Sequence, residues 1–133
     1  MSTELVMLEG PVPRGYADAR IGHGKTLHVA GQVGWKDGVF HAKDLVGQFA
    51  QALDNILGVL KAAHAHVDDV ASMTIYVTDM PAYRAARKSL GPIWRERFGT
   101  HFPAMALVAV TALVEPEAVV EIQAIAYLDH PEE

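Results

Sequence analysis

Two stretches of helical spacing, each set between strand-like stretches, constrain the fold of this chain more than any other feature. Asp44 is suited to cap the first, and Leu45, Phe49, Leu53, Ile56, Leu57 and Leu60 follow at helical intervals. The second runs from about Pro81 to Phe98 behind Asp79, with a proline where a first turn tolerates one. Gly91-Pro92 predicts a kink or break inside it. Between the two, Val70 to Thr78 alternates cleanly, with Ala71, Met73, Ile75 and Val77 set against Ser72, Thr74, Tyr76 and Thr78. Further strands are expected at Leu5–Leu8, Tyr16–Ile21, Thr26–Val33, Ala104–Ala112 and Ala118–Ala126. Gly22-His23-Gly24-Lys25 reads as a hairpin link between the second and third of all the strands. The order β-β-β-α-β-α-β-β makes each helix a crossover on one face of a mixed sheet. That is an α+β two-layer sandwich, one domain over residues 1–133 with a loose tail from Asp129.

The last strand carries the functional question. Glu121 is a lone carboxylate in the apolar run Ala118-Val119-Val120-Glu121-Ile122-Gln123-Ala124-Ile125-Ala126. An acid there is costly unless it has a partner or faces a wet cleft. In strand phase Val120, Ile122, Ala124 and Ala126 form a core face, leaving Glu121, Gln123, Ile125 and Tyr127 on the other. By the same reasoning that second face is expected to hold His28, Gln32, Ser72, Thr74 and Tyr76. It is also expected to hold Met105, Leu107 and Thr111. A surface so mixed implies a homo-oligomer that buries it, with clefts between subunits.

The remaining composition mainly excludes. A net charge of −5 with no basic run or stripe gives no electrostatic reason to expect nucleic acid as a partner. Zero cysteines remove disulfides, thiolate metal sites and cysteine nucleophiles. His64-Ala65-His66-Val67-Asp68-Asp69 echoes a binuclear metal run but lacks the closing histidine, so no metal is expected. Trp35 and Trp94 read as core or rim aromatics. Neither a secretory start nor an apolar stretch of membrane-spanning length is visible, which makes a cytoplasmic protein the expectation.

Several segments taken in order resemble the Rid family, also called YjgF or L-PSP. They are Gly15-Tyr16, Ala30-Gly31-Gln32, Gln48 with Leu53-Asp54-Asn55-Ile56, Thr74-Ile75-Tyr76-Val77-Thr78-Asp79, Phe102-Pro103-Ala104, and Val120 through Ala126. The resemblance implies a chorismate-mutase-like fold, a homotrimer and three intersubunit clefts. It also implies cofactor-independent hydrolysis of 2-imino or enamine acids to 2-keto acids and ammonia. In the family's best-known enzymes an arginine directly after the Pro-Ala step grips the substrate carboxylate. The residue matching Glu121 places or activates water there, and those matching Tyr16 and Gly31 line the pocket. This chain has Met105 at the arginine position, a neutral thioether in place of a bidentate cation, and Leu107 makes the same strand more apolar.

The expected function is therefore a hydrolytic deaminase acting on an enamine, imine or related metabolite, but not on the usual small 2-imino acids. Glu121 is its catalytic residue. Tyr16, Gly31, Arg87, Met105 and Leu107 are its binding residues, with Arg87 a substitute for the missing charge. Arg14 and Arg20, which flank Tyr16, are weaker candidates of the same kind. The alternative is a non-catalytic trimeric module that binds a small molecule or a protein. An endoribonuclease ranks last, because the chain is acidic and shows no basic groove.

Overall fold

The computed structural model describes residues 2–129; the terminal segment 130–133 of the expected tail lies outside the described residues. Its elements run β1 (Thr3–Val6), β2 (Ala19–Gly22), β3 (Lys25–Val33), α1 (Leu45–Ala62), β4 (Val70–Val77), α2 (Met80–Phe98), β5 (Ala104–Ala109) and β6 (Val120–Leu128). A 3₁₀ turn at Val67–Asp69 precedes β4. Both expected caps form. The Asp44 carboxylate accepts the Gly47 N–H, and Asp79 accepts the Ala82 N–H at 3.0 Å.

The main sheet has the order β3-β6-β4-β5, so β3 and β5 are its edges. β5 runs parallel to β4 across the α2 crossover, while β6 is antiparallel to both its neighbours. Both helices cover one face. Leu53, Ile56 and Leu60 of α1 and Leu90, Trp94 and Phe98 of α2 meet Met73, Ile75, Val120 and Ile122 in a continuous core. This is the α+β sandwich with a mixed sheet that the sequence predicts.

Two expectations need correction. β2 does not form a hairpin with β3, because β1 takes the edge of β2 in a separate two-stranded sheet and β6 takes that of β3. The Gly22–Lys25 link instead lies flat against the end of β6: a Cβ at Gly24 (φ 113°) would stand 2.2 Å from the Leu128 carbonyl oxygen. Nor does Pro92 interrupt α2, which is continuous from Met80 to Phe98. Leu90 and Trp94 are buried on either side of it. Pro92 itself is exposed, so the one backbone bond it removes is lost where water replaces it.

A polar seam fastens the small sheet to the large one. Ser2 donates to the Asp69 carboxylate, Thr3 Oγ1 donates to the Asp68 carbonyl at 2.8 Å, and Arg20 Nε donates to the Phe102 carbonyl at 2.8 Å. His101, only 8% exposed, donates from Nε2 to the Val70 carbonyl at 2.8 Å. Burial holds the His101 imidazole below its ordinary value, and the Arg20 charge acts the same way. The Val70 bond, Asp68 and Asp69 oppose them. The unfolded chain therefore takes up this proton first. The His101 contribution to stability is complete above about pH 6.5 and is lost as pH falls from there toward the lower folded value. Urea midpoints should drop between pH 7.5 and 5.5, and the drop should be smaller in His101→Gln.

Candidate functional site

On the helix-bearing side of β5 lies a groove of about 1000 Å³. Its floor is apolar because of register. Met105 stands beside Met73 and Leu107 beside Ile75, so both point toward the helices. This corrects the expected placement of Met105 and Leu107 on the open face with Thr74 and Tyr76. The residues of β5 that share that open face are Ala104, Ala106 and Val108.

The groove walls follow from local packing. Trp94 of α2 stacks on Phe102 at 5.8 Å with planes 6° apart, and its Nε1 donates to the His101 carbonyl at 3.2 Å. These contacts hold the segment after α2 along one end of the groove. At the start of β5, the Ala17 N–H donates to the Pro103 carbonyl at 2.9 Å and forms an isolated parallel bridge to Ala104. Gly15, at φ 82°, turns the chain into this contact, a conformation that a side chain disfavours. Tyr16 is thereby brought to the groove, 46% exposed.

Arg14, Arg87, Lys88 and Arg95 stand around this apolar floor, and no acidic residue lines it. The sequence predicts no basic groove; the fold makes one by joining a loop to α2. Arg87 does line it, with its Nε donating to the Arg84 carbonyl at 3.4 Å. Arg20 does not belong to it and serves the seam described above. Arg95, Trp94 and Phe102 were missed as site residues. The available signal was the spacing Arg87-Gly91-Arg95, which puts both arginines on one helix face.

Glu121 lies elsewhere. It sits mid-strand on β6, half-buried, beside Tyr76, whose hydroxyl donates to Gln123 Oε1 at 3.0 Å. This is the sheet face turned away from the helices. The Glu121 carboxylate lies over Gly31, where a Cβ would stand 2.2 Å from Oε2 and 2.8 Å from the carboxyl carbon. The absence of a side chain at residue 31 is what lets the carboxylate lie there. The predicted site residues thus fall into two groups on opposite faces: Glu121 with Gly31, and Tyr16, Arg87, Met105 and Leu107 together.

Among the described residues no three metal-ligating side chains come together. In the histidine-acid run, His66 caps the 3₁₀ turn and its N–H donates to Asp69 Oδ2 at 2.8 Å. No described helix is long and apolar enough to cross a membrane.

A family model described as Endoribonuclease L-PSP matches residues 10–128. The chain is 33% identical to a RutC family protein of Pyrococcus horikoshii, over 93% of this chain and 97% of that one. It is 32% identical to a 2-iminobutanoate/2-iminopropanoate deaminase of Capra hircus, over 77% of this chain and 72% of the relative. The crystal structure of YyfB, a Rid-family protein of unknown function from Yersinia pestis, superposes with a TM-score of 0.84 at 33% identity. That match covers 96% of this chain and 100% of YyfB.

Proposed function

The chain belongs to the Rid (YjgF/L-PSP) family, and from that premise we propose that it is a hydrolytic deaminase of an enamine or imine in a cleft between copies of itself. The observation that carries this reading is the division of its candidate residues. Glu121 and Gly31 stand toward the β3 edge of the sheet, and the groove holding Met105 and Leu107 stands at the β5 edge. One copy does not unite them. A head-to-tail contact that sets one copy's Glu121-bearing sheet face against the next copy's β5 groove would unite them, and such contacts close into a ring where the rotation between copies allows it. The homotrimer implied by the resemblance is such a ring. It also covers the mixed sheet face bearing His28, Thr74, Tyr76 and Gln123.

In this arrangement the substrate lies in the β5 groove with its C=N carbon at the mouth, where Glu121 reaches in from the neighbouring copy. Glu121 orients a water and takes its proton as the new C–O bond forms. The C=N electron pair moves to nitrogen, which is protonated. The resulting carbinolamine then breaks its C–N bond, releasing ammonia and leaving a carbonyl. Backbone N–H groups near Met105 and Gly31 stabilise the developing charge. Two relatives in the family carry the name 2-iminobutanoate/2-iminopropanoate deaminase in Escherichia coli and Capra hircus, which supports the reaction class.

Met105 argues against the small 2-imino acids in those names. A charge-assisted hydrogen bond contributes about 1.5–3 kcal/mol, or roughly tenfold to 150-fold in affinity. Imines generated in situ from a series of amino acids, with their loss followed by a trapping product, test the proposal. The native protein is expected to hydrolyse imines with large side chains, and Met105→Arg to gain at least about tenfold on the smallest ones. The uncharged floor formed by Met105 and Leu107 also suits the second reading, a binding module without chemistry. Absence of turnover in both proteins across the whole series would favour that module over the deaminase.

A further inference from the structure

The charges around the groove identify its ligand more closely than its floor does. The chain carries a net charge of −5, yet Arg14, Arg87, Lys88 and Arg95 gather at one groove that no acidic residue lines. Among the described residues, none of these four has a carboxylate within ion-pair distance. Three cations elsewhere are engaged: Arg97 binds Asp54 at 2.7 Å, Lys43 pairs with Glu117, and Arg20 donates to the Phe102 carbonyl. Four like charges brought together repel one another, and the one Glu121 carboxylate that a neighbouring copy brings offsets only part of that, so an anion bound among them relieves the remaining cost.

Geometry narrows the anion. Arg87, Gly91 and Arg95 follow at intervals of four on α2, and both arginines line the groove about two helical turns apart. Gly91 carries no side chain between them. A Cβ there would lie 3.6 Å from Arg95 Nη1, so the guanidinium of Arg95 is folded back along the helix toward Arg87. A planar fork suits a carboxylate, which it can engage through paired N–H donors, and two such forks line this groove. Below the rim the surface is aromatic and aliphatic, with Tyr16, Trp94 and Phe102 beside Met105 and Leu107. A volume of about 1000 Å³ is at the upper end of what a drug-sized molecule fills, far more than a three- or four-carbon acid needs.

Resting on the deaminase reading, we infer that the substrate is a 2-imino or enamine acid with a bulky aryl or branched side chain. Its carboxylate sits at the rim on Arg87 and Arg95, and its side chain lies across Trp94, Phe102, Met105 and Leu107. The charge that position 105 lacks is supplied from the helix opposite. The carboxylate end is therefore reversed toward solvent, and the apolar end occupies the floor. Nothing in this arrangement needs a metal, an oxidant or a further co-reactant, since water alone converts the imine to the carbonyl.

Binding of stable 2-oxo acids tests the inference apart from any chemistry. Calorimetry on the native protein would compare an aryl 2-oxo acid, its neutral amide, a branched 2-oxo acid and 2-oxobutanoate. The aryl and branched acids are expected to bind at least about tenfold tighter than 2-oxobutanoate, and the aryl acid at least about tenfold tighter than its amide. Arg87→Ala combined with Arg95→Ala should weaken the acid about 10–100-fold while leaving the amide unchanged, which also shows that the groove has kept its shape. A protein that shows this pattern but hydrolyses no imine keeps the inferred ligand chemistry and loses the deaminase reading. Equal binding of amide and acid, equal binding of small and bulky acids, or no binding at all would overturn the inference. So would loss of the native oligomer in the double variant, since the cations would then serve the subunit contact. Displacement of the aryl acid by a single-stranded oligonucleotide at lower concentration would assign the cations to nucleic acid instead.

Discussion

Gln48→Leu is expected to cost about 2–4 kcal/mol of stability and to lower the thermal midpoint, although no part of Gln48 touches the groove. Its side chain is fully buried and uses its polar atoms in three bonds. Nε2 donates to the Ala42 carbonyl at 3.2 Å and to the Glu117 carbonyl at 2.9 Å, and Oε1 accepts the Val119 N–H at 2.8 Å. These bonds tie α1 to the loop before it and to the segment that feeds β6. Leucine fills the space but leaves the carbonyls and one N–H without partners, and an unsatisfied buried group costs about 1–3 kcal/mol. Gly34 closes against the same point. A Cβ there would lie 2.6 Å from Gln48 Cα and 2.6 Å from its carbonyl oxygen, so the helix backbone cannot yield locally. Urea titration should give a lower midpoint with an unchanged slope, and a fall of roughly 10 °C in the thermal midpoint is expected at this chain length. A loss below about 0.5 kcal/mol would show that the three bonds are replaced by water without penalty.

Much of this organisation is legible in the sequence where the signal is local. The helices follow from spacing and from Asp44 and Asp79, whose caps bond to N–H groups three residues away. β4 and β6 are readable because polar residues alternate with apolar ones, so Tyr76, Glu121 and Gln123 declare their face. β5 offers no such contrast. Ala104-Met105-Ala106-Leu107-Val108-Ala109 is apolar in both phases, and only its register against β4 decides which side chains reach the helices. The pairing of β2 is hidden for a similar reason. Proximity favours β3 as its partner, but hydrogen bonds to β1 and the occupation of β3 by β6 outweigh proximity. The cationic rim is invisible as a stripe because Arg14 and Arg95 lie far apart along the chain. Gln48 and Gly31 stand out in the sequence only as parts of family-like motifs. The structure supplies a physical reason for each: one is a buried three-way connector, the other a space for a carboxylate.

That space leads to the second large effect. Glu121→Gln is expected to lower imine turnover by about 10²–10⁴-fold, the range general acid–base groups contribute, with little change in the thermal midpoint. Glutamine keeps the size and hydrogen-bonding reach of the side chain but cannot take the proton of the attacking water. The residue is half-buried on an open sheet face, so its removal should not disturb the core. A structural carboxylate predicts the reverse pattern, with an altered oligomer or midpoint and retained turnover per folded molecule. Gly31→Ala separates position from charge. The added methyl would stand 2.2 Å from Oε2, 2.8 Å from the carboxyl carbon and 3.0 Å from Cγ, so the carboxylate must swing off β3. Because the obstructed atoms belong to the far end of a flexible side chain, the fold absorbs the change cheaply while the geometry of proton transfer does not. Turnover should fall by at least about tenfold in Gly31→Ala, since misplaced reacting groups forfeit much of the orientational advantage. Combining the two substitutions should add little beyond Glu121→Gln, because moving a side chain that no longer carries the proton changes nothing in the reaction. Full additivity of the two losses would mean that Gly31 acts on the substrate directly, with its backbone against the ligand and independently of Glu121.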